Sequence, residues 1–257
     1  MEFTKEQLER YSRQIVMEEI GVEGQKRLAA ASVLVIGAGG LGSPAAMYLA
    51  AAGVGRIGIA DADVVDLSNL QRQIIHTTED LGRPKTESAK ETIEAVNPDV
   101  TVRTYNEFIC SDNILNIIAD HDFILDCTDN FPAKFLINDA CVMADKPFVH
   151  AGVTRFQGQL MTVIPHKSPC YRCIFKDPPP EGAVPSPAEA GVIGAAAGVT
   201  GSLQALEAVK YITGAGELLT GKLLTFDALT MKFRTVKLPP RGSGCAICAD
   251  HPKITRL

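Results

Sequence analysis

The stretch Val33–Gln73, VLVIGAGGLGSPAAMYLAAAGVGRIGIADADVVDLSNLQRQ, constrains the fold more than any other part of the chain. The β-branched run Ser32–Gly37 reads as a buried strand. It leads through Gly37-Ala-Gly39-Gly40-Leu-Gly42, a G-x-G-x-x-G turn, into a small-residue helix ending near Ala52. RIGIAD then supplies a second strand with Asp61 at its end. The glycines allow close backbone approach, and the N-terminus of the following helix favours an anion. An acid at the end of the second strand can accept hydrogen bonds from ribose hydroxyls. The pattern predicts a nucleotide site on a doubly wound sheet.

The alternation of strand and helix continues to about residue 150. GRPKTESAKETIEAVNPD is a helix, with Pro84 near its first turn and Asn97-Pro98 ending it. VTVRTY, DFILDCT and KPFVHAGV read as strands. SDNILNIIAD reads as a helix capped by Ser111 or Asp112, and another helix follows DFILDCT to about Asp145. Ahead of the first strand, Thr4 and Gln7 have capping-box spacing, predicting a helix from Thr4 to about Glu19. A short helix covers Glu23–Ala30. The fold class is therefore α/β, a Rossmann-like, mainly parallel sheet preceded by N-terminal helices.

After residue 155 the pattern changes. Gly158–Ile164 and Lys222–Leu238 read as antiparallel strands that extend the sheet, the latter with a turn near Asp227–Thr230. Between them FKDPPPEGAVPSPAEAG is Pro-rich and reads as a mobile loop. Gly191–Thr213 reads as a tightly packing small-residue helix. Its apolar run breaks at Gln204 and Glu207, too early for a membrane span.

A net charge of -5 argues against nucleic acid as the main partner. The acidic, amphipathic N-terminus is not a signal sequence, so the expected location is cytoplasmic. Seven cysteines then need a use other than disulfides. Cys170-Tyr-Arg-Cys173 and Cys245-Ala-Ile-Cys248 can each present two thiolates, together a closed tetrahedral zinc site. The competing use, a redox dithiol, normally precedes a helix, and neither pair is expected to. Cys110, Cys127 and Cys141 have apolar flanks and read as small core residues.

Charge separates a dinucleotide from a triphosphate. NAD needs little beyond the glycine loop and helix dipole, whereas release of pyrophosphate from ATP calls for cations and usually Mg²⁺. Arg72 and Lys85 follow Asp61, and Asp129 lies just past FILDCT, at the carboxyl edge of the sheet. A carboxylate there can hold Mg²⁺. Each also has a plain structural use: Arg72 in a surface salt bridge, Lys85 as a solvated helix residue, Asp129 as a helix N-cap.

YSRQ, GAGGLGS, DADVVDLSNLQRQ, GRPK, DCTDN, GQ followed by CYRC, and the terminal GCAIC occur in order along nearly the whole chain. Together they resemble the MoeB/ThiF family, bacterial relatives of ubiquitin-activating enzymes. The resemblance implies one adenylation domain over residues 1–257: N-terminal helices (1–31), a nucleotide-binding half (32–155), and a carrier-binding and zinc half (156–257). It implies ATP-dependent adenylation of the C-terminal Gly-Gly carboxylate of a ubiquitin-fold sulfur-carrier protein of the molybdopterin or thiamine type. Family roles fall on Gly40 (phosphate loop), Asp61 (ribose), Ser68, Asn69 and Arg72 (nucleotide), Lys85 (phosphate), and Asp129 with Asn130 (Mg²⁺–ATP). Arg13 resembles an arginine that family members insert into the partner subunit's site, implying a homodimer. Its plain alternative is a helix salt bridge to Glu9.

The chemistry suits the residues. A terminal carboxylate is already ionised, so no general base is needed; His76, His121, His150, His166 and His251 are scattered and read as structural. Some relatives carry a cysteine in the loop before the AGV helix, but AVPSPAEAGV has none, so no covalent intermediate is expected there. The loop is instead expected to clamp the carrier tail. The short segment after the zinc pair leaves no room for a fused sulfurtransferase domain, implying a separate sulfur donor. Three other readings stay open: an NAD-dependent oxidoreductase, a non-catalytic nucleotide-binding scaffold, and activation of a small-molecule or RNA carboxylate.

Overall fold

The computed structural model describes residues 2–180, 183 and 187–257. Its centre is an eight-stranded sheet of order β3-β2-β1-β4-β5-β6-β7-β8. Strands β1 (Ser32–Ile36), β2 (Arg56–Ala60), β3 (Thr101–Tyr105), β4 (Phe123–Asp126) and β5 (Phe148–Thr154) run parallel. Strands β6 (Gln157–Val163), β7 (Lys222–Asp227) and β8 (Lys232–Lys237) extend them antiparallel. Strand β1 lies between β2 and β4, so the winding reverses there and a crevice opens at the carboxyl ends.

The helices are α1 (Lys5–Arg10), α2 (Ser12–Ile15), α3 (Gly21–Ala30), α4 (Gly42–Ala52) and α5 (Lys85–Val96). They continue with α6 (Ile114–Ala119), α7 (Phe131–Met143), α8 (Tyr171–Ile174), α9 (Pro187–Ala190) and α10 (Gly194–Thr213). All of β1 is buried. Its alternate residues feed two cores, because successive side chains leave a strand on opposite faces. Val33 and Val35 pack with Leu28, Leu49, Ile93 and Ala205, whereas Leu34 and Ile36 pack with Ile118, Ile137, Phe148 and Cys248.

Four local expectations are corrected. The first helix breaks at Tyr11 instead of running to Glu19: the ring is buried, its hydroxyl accepts from Asn97 Nδ2 at 2.8 Å, and it fills the space beside Gly53. The helix after β3 starts at Ile114, not at Ser111 or Asp112. Asn113 precedes it and accepts from Cys110 N at 2.9 Å, holding residues 107–113 in a loop. Cys110 is exposed and not part of the core, while Cys127 and Cys141 are buried as expected. Finally, Cys170 caps the single-turn helix α8, which contains Cys173, so a helical turn begins within the first cysteine pair. The Pro-rich stretch ends in another single turn, α9; its positions 181, 182 and 184–186, and the clamp expected of them, lie outside the described residues.

Candidate active site

The glycine turn is set by close approach. Gly37 has φ +100°, and a Cβ there would lie 2.8 Å from Cys127 O. A Cβ on Gly42 would fall 1.9 Å from Gly37 O, so the turn folds back onto its own helix only with glycine at that position. Asp61 steadies the loop: Oδ2 accepts from Ala38 N at 2.8 Å and Oδ1 from Asp63 N at 2.9 Å. The carbonyl of the same residue is fixed by His76, whose Nε2 bonds Ala38 O at 3.0 Å while Nδ1 meets Ser88 Oγ at 2.8 Å. Burial pushes His76 below the usual imidazole range, so it holds the loop as a neutral ring donating from Nε2.

This loop floors a cavity of about 670 Å³ at the carboxyl ends of β1, β2 and β4. Gly37, Gly39, Gly40, Asp61, Arg72, Lys85, Asp129 and Asn130 all line it. Lys85 is not a solvated helix residue. It is buried at the start of α5, and its Nζ meets Asp63 Oδ2 at 2.8 Å. Arg72 has no ion pair among the described residues; it donates to Ser68 O at 3.0 Å and packs over Gly40. Asp129 is exposed at the cavity mouth, and the helix cap is Asn130, which accepts from Ala133 N at 2.9 Å. Arg72 and Asp129 thus face the cavity without an ion pair among the described residues, while Lys85 enters it paired with Asp63.

Ser68, Asn69 and Arg13 are not in the cavity wall. Ser68 and Asn69 form a short turn capped by Asp66, which accepts from Ser68 N at 2.8 Å. Arg13 is exposed on α2, and no ion pair to Glu9 occurs among the described residues.

Several lining residues were not assigned to the site from the sequence: Gln73 closes the motif DADVVDLSNLQRQ, while Phe108, Cys110 and Lys134 lie outside the quoted motifs. Gln73 is buried beside Arg72, with Oε1 unpartnered among the described residues. Phe108 and Cys110 form an exposed rim opposite the glycine loop. Lys134, one turn into α7, is buried against Asp126 and donates to Ala151 O at 2.7 Å. Its only signal was a lysine in the first turn after DCTDN, turned toward the carboxyl edge.

A second cavity of about 520 Å³ lies over β5–β8. Lys134, Gly152 and Val153 line both cavities, so they share a wall. The rim of the smaller one carries Lys232 and Arg234.

The four motif cysteines come together. Their sulfurs lie within 4.8 Å of one another, with Cys170–Cys173, Cys170–Cys245 and Cys173–Cys248 at 3.9, 3.7 and 3.4 Å. A tetrahedron with Zn–S bonds of about 2.3 Å requires S···S separations of about 3.8 Å, so the donor set fits zinc. The intervening residues anchor the knuckle: Tyr171 N donates to Asn138 Oδ1 at 2.8 Å, and Arg172 Nε donates to Asp139 Oδ1 at 2.8 Å, both on α7. No helix among the described residues is long and apolar enough to cross a membrane.

Known proteins share this arrangement. A Thermus thermophilus protein described as a sulfur carrier protein adenylyltransferase is 48% identical, over 100% of this chain and 96% of its own length. The Bos taurus protein described as adenylyltransferase and sulfurtransferase MOCS3 is 46% identical over 99% of this chain, which spans 56% of that longer relative. Among solved structures, E. coli MccB with MccA-N7isoASN superposes with a TM-score of 0.84 at 24% identity, covering 94% of this chain and 75% of that one. That likeness concerns the fold. The ThiF family matches residues 11–247, from the N-terminal helices through the glycine loop and sheet to the second cysteine pair, and the chain belongs to that family.

Proposed function

We propose that the protein adenylates the C-terminal Gly-Gly carboxylate of a ubiquitin-fold sulfur-carrier protein with ATP and Mg²⁺, releasing pyrophosphate. The observation that carries this reading is the wall at Lys134, Gly152 and Val153 that the glycine-loop cavity shares with the smaller one over the antiparallel strands. One cavity suits a nucleotide and the other an extended tail. The descriptions of the Thermus thermophilus and Bos taurus relatives support it.

The glycine loop and the start of α4 receive phosphate oxygens, and Asp61 keeps free lone pairs for ribose hydroxyls. Asp129, with Asn130 beside it, would hold Mg²⁺, which would supply neutralisation of phosphate charge. Arg72 and Lys85 face the leaving pyrophosphate; Ser68 and Asn69 sit at the outer end of the same segment. A tail carboxylate oxygen bonds the α-phosphorus as the α–β phosphoanhydride bond breaks, and the electron pair leaves with pyrophosphate. No proton moves, so positioning and charge neutralisation are the whole of the catalysis. Arg13 acts in the site of a second subunit, making the working unit a homodimer. Zinc on Cys170, Cys173, Cys245 and Cys248 staples the C-terminal segment to α7. Sulfur comes from a separate donor.

ATP–pyrophosphate exchange, measured against a panel of ubiquitin-fold carriers ending in Gly-Gly, tests the proposal. Exchange with at least one carrier, and none when its terminal glycine is removed, is the expected result. Tight NADH binding without exchange would overturn it.

A further inference from the structure

The smaller cavity contains a polar arrangement that charge neutralisation alone does not use. Asp126 closes β4, buried. Its Oδ2 accepts from His150 Nδ1 at 2.8 Å and Lys134 Nζ at 3.2 Å, and its Oδ1 accepts from Thr128 N at 3.1 Å and Thr128 Oγ1 at 2.6 Å. Burial would raise this carboxyl, but the Lys134 charge and the His150 hydrogen bond outweigh it and hold Asp126 far below the usual carboxylate range. A carboxylate anion only accepts, so the shared proton sits on His150 Nδ1. Burial keeps the ring neutral, which leaves Nε2 as a bare lone pair. That Nε2 is buried and has no hydrogen-bond partner among the described residues. A buried acceptor left unpaired is costly, so a donor brought by a ligand gains more here than at an exposed atom.

His150, Lys134 and Tyr171 all belong to the cavity wall, and the Tyr171 ring lies against His150 with centroids 4.4 Å apart. The neighbouring wall is strand backbone at Gly152 and Gly158. A slim, extended chain fits such a wall, and its obligatory donors are backbone N–H groups. We infer that His150 Nε2 accepts a backbone N–H from the terminal Gly-Gly of the carrier, fixing the tail's register as it passes Lys134 toward the nucleotide. To reach the acceptor, the tail has to displace the Tyr171 ring that lies against it. This inference rests on the carrier reading above. His150 is a substrate-binding residue with no part in proton transfer, and it is a second use for a histidine the sequence reading assigned to structure.

The variant His150→Asn separates the two uses, because the asparagine amide still donates to Asp126 but offers nothing at the Nε2 position. With the carrier that supports pyrophosphate exchange, H150N should raise the carrier KM about tenfold while ATP affinity stays unchanged. The same carrier with an N-methylglycine in place of the donating glycine should lose about tenfold against the wild type and nothing further against H150N. Equal losses against both proteins would overturn the inference while leaving the carrier reading intact. Absence of exchange with every Gly-Gly carrier, in a protein that still binds ATP, would overturn the carrier reading and this inference with it. A substrate-free measurement is also decisive: nitrogen-15 spectra should show His150 protonated at Nδ1 alone, and a ring protonated at Nε2 would remove the acceptor.

Discussion

The two cavities are built in opposite ways. The larger is walled by consecutive motif segments that end β1, β2 and β4, where a parallel sheet delivers successive loops to one edge. The smaller draws on α7, β5, β6, α8, β7 and β8, from Phe131 to Arg234, with one to four residues from each. A parallel sheet gathers chemistry at strand ends, so it leaves contiguous signatures. Antiparallel strands spread a binding wall along their faces, where it reads as ordinary alternation.

The comparison can be broken most forcefully at the knuckle that braces the smaller cavity. Structural zinc contributes about 10 kcal/mol or more of apparent binding free energy. Stripping zinc, or replacing Cys245 and Cys248 with Ser, should lower the melting temperature by more than about 10 °C. A verified metal-free chain that melts like the wild type would show that the antiparallel half stands without a staple. On the larger cavity, Arg72→Ala should slow pyrophosphate exchange about 10²–10³-fold with little change in melting, since Arg72 makes one hydrogen bond to Ser68 O. A rate within threefold of the wild type would contradict the assignment of Arg72 to the leaving group.

The parallel half should also show the sharper response to acid. His121 is buried between Ser32 Oγ and Tyr105 OH, and burial pushes its pKa down to about 4. Unfolding restores the ordinary value of about 6.5, so the unfolded chain binds more protons between those limits. Stability is full above pH 6.5 and falls by up to about 3 kcal/mol as the pH drops to 4. The buried His76 and His150 act in the same direction. Urea melts across that interval check the slope, and His121→Asn should flatten it. The smallest effect concerns Cys110, exposed on the rim of the larger cavity. Saturating ATP should slow its alkylation severalfold, while Cys127 and Cys141, whose thiols burial pushes far above the usual value, stay unmodified with or without nucleotide. Equal labelling of Cys110 in both conditions would place the nucleotide away from that rim.

What the sequence disclosed follows the same division. That Gly37, Gly39, Gly40, Asp61, Arg72, Lys85 and Asp129 share one cavity was legible because they lie in motif segments that follow strand ends, and the meeting of the cysteine pairs because their spacing has few uses. Ser68 and Asn69 were legible as a motif, but their placement was not: a local cap at Asp66 holds them outside the cavity wall. Lys134 left only its place in the turn after DCTDN and His150 left no signature, since their meaning comes from a carboxylate at Asp126 that joins residues across two elements. The break at Tyr11 was hidden for a related reason: its cause is Asn97, 86 residues away.

The edge strand β8 is exposed along its whole length and carries Lys232, Arg234 and Lys237 at nearly alternate positions. An open row of peptide groups invites another such row to stack on it, and like charges at that margin repel a second identical copy. The sheet thus ends by repulsion, not by closure. Replacing those three residues with neutral ones would leave the protein folded yet prone to fibrous self-association.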